Sequence, residues 1–552
     1  MPNTKKLLSI TNLKKYFPIQ KTSIFQKEQL YVRANEEISL DIFEGETLGI
    51  VGESGCGKST LGRVLLQLYD QTAGTTMYYG RSRASVAPRY VRKTLKNAEK
   101  YVQKLRKTQE KAASLDKKVN ELGDKATFFD IQSRNLALAD EQTALAHVVK
   151  ILGGFLVRDT GEGASMLLDK ALLEEKRAKY DEKMKKLDLK IGAEEDKPDS
   201  DSKSARIEKL REKKRALTDE TKELEGEICK CDGRINSVKA KYAFDPEFLK
   251  YEAMLDDGID LARLKYSEMR LLRKDLQIVF QDPYSSLNPR MTIGQIIEEG
   301  LVTHKFFRRN SSKMNDYILE VMRNCGLQDY MMHRYPHQFS GGQRQRISIA
   351  RALAVKPKFV VCDECVSALD VSIQSQIINL LQELKEKDHL TYMFISHDLS
   401  VVRYISDRIC VMYLGNVVEL TDADTMFNDP RHPYTVALLS AIPTTDVESL
   451  KKERILLEGN IPSPIKPPSG CKFHTRCFMA CEECKRVPPP LTEVEPGHFV
   501  ACHFPEKKLH ADGGYLFDTH KTERKTRKVI GDLSAEAPAG QAGEALAEQA
   551  AE

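Results

Sequence analysis

The chain has 552 residues, 41% hydrophobic and 30% charged, with 85 Lys and Arg against 80 Asp and Glu. At about 150 residues per domain this length holds about two to four domains, and the near balance of charge supplies no global basic field for nucleic acid. No apolar run is long enough to span a bilayer and the start, Met1 to Lys6, lacks signal-peptide character, so a cytoplasmic chain is expected, its twelve cysteines thiols or metal ligands rather than disulfides.

Residues 1–80 read as short β segments around a Gly-rich turn. Within them Gly52, Glu53, Ser54, Gly55, Cys56, Gly57, Lys58, Ser59 and Thr60 fit G-x-x-x-x-G-K-[ST]. The motif follows a strand-like run, Thr47 to Val51, and precedes a helix-like Leu61 to Leu66, the setting a phosphate-binding loop requires. Its glycines let backbone N–H groups wrap phosphates at a helix N-terminus. Lys58 would reach the outer phosphates and Ser59 would bind Mg²⁺. The motif by itself does not separate a kinase, a GTPase and a transporter ATPase.

Residues 81–265 are rich in Lys, Glu, Asp, Arg, Leu and Ala and carry helical stripes. Ile207, Leu210, Lys214, Leu217, Thr221, Leu224, Ile228, Cys231, Ile235 and Val238 alternate spacings of three and four, which packs one helix along another. A second arm runs through Val91, Leu95, Ala98, Val102, Leu105, Gln109 and Ala112, and a weaker one through Leu173, Tyr180, Met184, Leu187 and Ile191. Gly192 to Ser204 reads as an exposed turn between the last two. The prediction is a helical hairpin or small antiparallel bundle; Lys214 and Thr221 on the stripe argue against a long dimeric coiled coil.

Residues 266–445 return to α/β texture. Phe359 to Glu364 reads as an apolar strand ending in two carboxylates, Asp363 placed for Mg²⁺ and Glu364 to polarise an attacking water as general base. Upstream, Ser340, Gly341, Gly342 and Gln343 open a helix, and this run resembles the signature motif of ABC ATPases. The resemblance implies a second phosphate-binding helix start, with no lysine of its own, that meets ATP held by an opposite subunit. Gln281, in Val279 to Pro283, is similar to the family's Q-loop, which implies that it is a ligand of Mg²⁺. Asp370, in Ser367 to Asp370, resembles the D-loop, and His397, in Ile395 to Asp398, the switch histidine. The implied fold is α/β: a P-loop ABC core of RecA-like type with an antiparallel β subdomain and a helical signature subdomain. Implied ligands are ATP and Mg²⁺. Tyr16, Phe17 and Tyr31 are all candidates to stack on adenine.

Glu46 to Gly57, Gln277 to Pro289, Val366 to Gln374, Arg431 to Thr435 and Leu438 to Pro443 are similar to the ATPase subunits of bacterial dipeptide/oligopeptide importers, especially the F-type paralogue. The likeness covers about residues 5–80 and 266–508. Cys365 departs from it, standing where the family usually has Pro. The Pro- and Cys-rich stretch 446–510 resembles the importers' C-terminal extension. Cys471, Cys477, Cys484 and Cys502 match four positions that in some members hold a [4Fe–4S] cluster, with Cys481 as an extra thiol able to replace a ligand. A Cys₄ site for Zn²⁺ and plain thiols are the competing readings. The end, 511–552, reads as a flexible tail, since Ser534 to Glu552 is almost all Ala, Gly, Glu and Gln.

The resemblance implies an energising subunit of a di- or oligopeptide importer, at the cytoplasmic face of the membrane. Its implied partners are a paralogous ATPase in a heterodimer, two transmembrane permease subunits and an extracellular peptide-binding protein, with no direct nucleic-acid contact. The alternative is a non-transport ABC ATPase acting on ribosome or DNA through its helical insertion. Chromosome-maintenance relatives place their arms between the Q-loop and signature halves, however, and here the insertion precedes both Gln281 and Ser340. The insertion itself reads either as a solvated decoration or as a docking arm.

Overall fold

A computed structural model of the chain describes residues 5–21, 29–195, 201–309, 311–442 and 455–505. The expected tail 511–552, Pro443 and residues 196–200 of the expected turn lie outside them. Strands in chain order are β1 (Lys6–Pro18), β2 (Tyr31–Phe43), β3 (Thr47–Val51), β4 (Ala73–Tyr78), β5 (Ile259–Asp260), β6 (Leu276–Val279), β7 (Phe359–Asp363), β8 (Thr391–Ile395), β9 (Arg408–Tyr413), β10 (Asn416–Asp422), β11 (Thr492–Glu495) and β12 (His498–Val500). The chain divides into two compact units, one of Met1–Thr76, Lys274–Gly300 and Ile318–Asp532, the other including Met77–Arg273 and Leu301–Tyr317.

The first unit is built on an eight-stranded sheet in the order β11-β12-β10-β9-β3-β8-β7-β6. From β9 to β6 neighbouring strands are parallel. Parallel strands covered on both faces need continuous apolar runs rather than alternation, and every residue of β3, β7 and β8 is buried. The remaining pairs are antiparallel. β9 turns into β10 at Leu414 and Gly415, both at positive φ (43° and 80°), the backbone of a tight hairpin turn. β1 and β2 form a long antiparallel pair, with β4 on the far side of β1.

The C-terminal extension joins this unit through β12, whose Phe499 and Val500 pair with Leu420 and Glu419 of β10. A buried carboxylate anchors the junction. Glu419 accepts the backbone N–H groups of Arg431 (2.8 Å) and His432 (3.0 Å), and its Oε1 lies 2.8 Å from His498 Nε2. This gives Arg431 to Thr435 a structural reason to exist. His432 Nδ1 accepts from the Tyr434 amide at 3.1 Å, which requires a neutral ring, and burial lowers its pKa to about 4. The unfolded chain binds that proton near pH 6.5. The contribution of His432 is therefore complete above pH about 6.5 and is lost as pH falls toward about 4, on the order of 3 kcal/mol in all. Denaturant unfolding checks this: His432→Asn, which keeps an acceptor near the Nδ1 position, should lose less stability than wild type between pH about 7 and about 4.5.

The second unit is helical, apart from the pairing of Met77 and Tyr78 with Asp260 and Ile259. Its long helices are Ala98–Leu122, Phe128–Leu152, Thr160–Glu195 and Asp201–Ala240, packed as two successive hairpins. In the second hairpin Lys170, Arg177 and Asp188 face Asp232, Glu225 and Lys214 at 2.6, 3.8 and 2.6 Å, an antiparallel register. Lys214 thus occupies its stripe position as an interhelical ion pair. Burial along the stripe rises from half-buried Ile207 and Leu217 to buried Leu224, Cys231, Ile235 and Val238. The root of the arms is a core of Val91, Leu95, Val149, Leu152, Phe155 and Phe248 among others. There Phe155 and Phe248 meet edge to face at 5.8 Å. Gly154 lies so close to Phe248 that a Cβ would stand 2.5 Å from its ring.

Two expectations change. Gly192 to Ser204 is not a turn throughout: helix continues to Glu195 and resumes at Asp201. The helix Phe128–Leu152 has no counterpart among the predicted arms. It starts at a capping box, Thr127 with Asp130, and buries Ala139, Ala146, Val148, Val149, Ile151 and Leu152.

Candidate functional site

The carboxyl ends of parallel strands are where an open α/β sheet binds ligands, and the sequence motifs of the first unit gather there. The loop Gly52–Gly57 follows β3, Asp363 closes β7 with Glu364 behind it, His397 follows β8 and Gln281 follows β6. Since β3, β8, β7 and β6 are neighbours in that order, residues far apart in sequence share one edge.

The loop after β3 leads into the helix Lys58–Leu65, capped by Gly57 at φ 99°. A Cβ there would lie 2.1 Å from the carbonyl oxygen of Ala34, so only glycine fits. Lys58 is 5% exposed and curls back, donating to the carbonyl oxygens of Gly52 (2.8 Å) and Glu53 (3.0 Å). Cys56 is buried, which pushes its thiol pKa up, while Ser54 and Gly55 are exposed and Thr60 is half-buried in the helix.

Ser59 Oγ donates to Asp363 Oδ1 at 2.5 Å, and Arg63 reaches Asp363 Oδ2 at 3.3 Å. A hydroxyl and a carboxylate side by side form the hard-oxygen pair that suits Mg²⁺. Glu364 holds a left-handed backbone, φ 48°. Such a conformation costs of order 1–3 kcal/mol for a residue with a side chain and is typical of functional positions. Its carboxylate accepts from Gln281 Nε2 at 2.7 Å and stands 3.9 Å from His397 Nδ1. Gln281, Glu364 and His397 are thus brought together as one group.

Ser340 caps the helix Gly341–Leu353 in a reciprocal box: its Oγ accepts the Gln343 N–H, and its own N–H is taken by Gln343 Oε1 at 3.1 Å. Ser340 and Gly341 are exposed, Gly342 and Gln343 half-buried. The helix start therefore opens to the surface. Asp370 stands at the N-cap position of the helix Val371–Asp388, without a side-chain cap bond, and is exposed as well. Of the adenine-stacking candidates Tyr16 is 5% exposed, its hydroxyl donating to Glu36 at 2.6 Å, whereas Phe17 and Tyr31 are half-buried.

The profile described as ABC transporter matches residues 35–191 and 215–367, more than half of the chain. The chain belongs to the ABC transporter family. It is an ATPase of that family, using ATP with Mg²⁺. A second profile, described as oligopeptide/dipeptide transporter, C-terminal region, matches residues 418–484. The oligopeptide transport ATP-binding protein AppF of Bacillus subtilis (strain 168) is 52% identical over 252 residues, 45% of this chain and 76% of that protein. The putative oligopeptide transport ATP-binding protein YkfD of the same strain is 52% identical over 247 residues, 45% and 75%. The putative peptide import ATP-binding protein BOV_A0347 of Brucella ovis is 51% identical over 246 residues, 45% and 77%.

In the extension of this ABC ATPase, Cys471, Cys477, Cys484 and Cys502 line one small cavity of about 20 Å³, with His432, Phe473, His474 and Phe504 among its other walls. Cys481 Sγ lies 3.6 Å from Cys484 Sγ. Burial raises the thiol pKa of Cys477 and of Cys502 to about 12 and that of Cys484 to about 11. The sequence reading missed three things here: Arg63 on Asp363, the left-handed backbone of Glu364, and the side chains that brace the phosphate loop from outside it. Tyr434 was visible only as part of a family-like run, and Arg476 only as a residue between cysteines.

Proposed function

We propose that this ATPase energises a membrane importer of di- or oligopeptides. The observation that carries the reading is the 52% identity to an oligopeptide transport ATP-binding protein of which the chain spans 76%, joined to the peptide-transporter C-terminal profile. The ATPase domain occupies 1–80 and 266–445, interrupted by the helical insertion 81–265 and followed by the extension 446–510.

The geometry supports the following roles. Lys58 and the amides of 52–60 hold the phosphates, Ser59 and Asp363 hold Mg²⁺ with Gln281 nearby, and Glu364 takes the proton of the attacking water. His397 faces Glu364 and orients the cleavage site. Ser340, Gly341, Gly342, Gln343 and Asp370 serve the phosphate of ATP bound in a second ATPase, which makes the working form a dimer, with a paralogous subunit as partner. Two permease subunits and an extracellular peptide-binding protein complete the assembly. Among the described residues no helix is long and apolar enough to cross a membrane; in this reading the permease subunits hold the chain peripherally at the cytoplasmic face.

The four cysteines of the extension are the ligand set for a [4Fe–4S] cluster, which would cross-link a loop-rich region that has little core. A single Zn²⁺ needs its sulfurs about 2.3 Å from one point. Cys471, Cys477, Cys484 and Cys502 line one cavity, which supports four thiolates acting together, and Zn²⁺ is the competing occupant. Anaerobic purification tests both parts. The protein should show broad absorbance near about 400 nm with bound iron, lost in Cys471→Ser, and hydrolysis that rises when the paralogous subunit is added. A colourless protein carrying zinc, stimulated instead by ribosomes or DNA, would overturn the reading.

A further inference from the structure

The segment Cys471 to Cys477 lies against the nucleotide site by way of two basic side chains. Arg476 Nη1 and Nη2 donate to Glu53 Oε2 and Oε1 at 2.7 and 3.0 Å, a two-pronged pair to a residue inside the phosphate loop. The side chain of Arg476 is only 7% exposed and that of Glu53 23%. Glu53 is held at its backbone too, where its N–H donates to the hydroxyl of buried Tyr434 at 2.9 Å. Tyr434, Tyr413 and Phe473 pack their rings together within about 5 Å of one another, so the residue that follows Lys472 is fixed in the same cluster. Lys472 donates to Glu36 Oε2 at 2.8 Å, to the Leu414 carbonyl at 3.0 Å and to Asn416. Glu36 in turn accepts from Tyr16, one of the adenine candidates.

A paired guanidinium fixes a carboxylate in position and direction, which a single ammonium does not. Glu53 lies between Gly52 and Ser54, in a loop whose backbone amides must point inward at phosphate. A displaced Glu53 would disturb those amides.

We propose that Arg476 is a positioning residue of the nucleotide site, and that the Cys471–Cys477 segment is a clamp through which the state of the four-cysteine site sets nucleotide affinity. The proposal rests on the reading of 52–60 as the phosphate loop. Both ends of the segment are cysteines lining the thiol cavity, so ligation or loss of a ligand there moves the backbone that carries Lys472 and Arg476.

The test uses the full chain, purified anaerobically, and a fluorescent ATP analogue, with thermal unfolding as a check on folding. Arg476→Gln should raise the Kd about tenfold and act on KM more than on kcat, and Arg476→Lys should recover only part of the loss. Glu53→Gln should behave like Arg476→Gln, and the double variant should be no worse than either single one, the signature of a shared interaction. Cys471→Ser should weaken binding in the wild-type background and add little to Arg476→Gln. Folded variants whose Kd stays within twofold of wild type, effects of Glu53 and Arg476 that simply add, or a full effect of Cys471→Ser without Arg476 would each overturn the clamp. Lys58→Ala separates this from the underlying reading: if it also binds the analogue normally, the phosphate loop itself is misread.

Discussion

Glu364→Gln should lower ATP turnover by at least about 100-fold while nucleotide still binds, because a positioned general base contributes roughly 10²–10⁴ to rate and Glu364 is the base proposed here. Glu364 leaves β7 one residue after Asp363, in the left-handed backbone that its place between Gln281 and His397 requires. The substitution keeps size and hydrogen bonding but removes the carboxylate proposed to accept the proton of water. Asp363, Ser59 and Lys58 are untouched, so the proposed ligands of phosphate and Mg²⁺ stay in place. Single-turnover hydrolysis alongside equilibrium binding separates the two effects. A variant that still turns over at more than a tenth of the wild-type rate would remove Glu364 from the role of base.

Ser340→Arg has an effect of similar size by a different route. Ser340 caps a helix whose start, Ser340 and Gly341, is exposed, and the positive end of a helix is the feature that attracts phosphate. An arginine there blocks approach of a second subunit's nucleotide. The isolated chain should keep its affinity for ATP, since its own phosphate loop is intact, whereas hydrolysis by the assembled dimer should fall about 100-fold or more. Lys58→Ala gives the opposite pattern, losing binding by the chain itself. If Ser340→Arg weakened binding by the isolated chain as much as Lys58→Ala, the helix would serve its own site rather than a partner's.

The chemistry-bearing edge was legible because its signals are local. A glycine-rich turn, an apolar strand ending in carboxylates and a Ser-Gly-Gly-Gln helix start each follow from short-range backbone demands, and the parallel sheet brings the first two to one edge. The arms were legible where apolar spacing was regular. The helix Phe128–Leu152 escaped because its apolar residues are spread around the helix rather than along one stripe, and Val148, Val149, Ile151 and Leu152 are all buried. Lys214, a misfit on its stripe, needed Asp188 from the facing helix to make sense. The contacts of Arg476 and Tyr434 with Glu53 span hundreds of residues and follow no periodic pattern. The backbone of Glu364 is set by its surroundings and carries no residue-type signal, since left-handed positions ordinarily select Gly or Asn.

The proposed importer is tested most directly by peptide uptake into proteoliposomes holding this chain with the proposed paralogous ATPase and two permease subunits, and with a peptide-binding protein on the substrate side. Labelled peptide should accumulate in an ATP-dependent manner and hydrolysis should rise when loaded binding protein is added, both lost with Glu364→Gln. Hydrolysis indifferent to the binding protein, with no ATP-dependent movement of peptide by an assembly that forms normally, would contradict the importer reading.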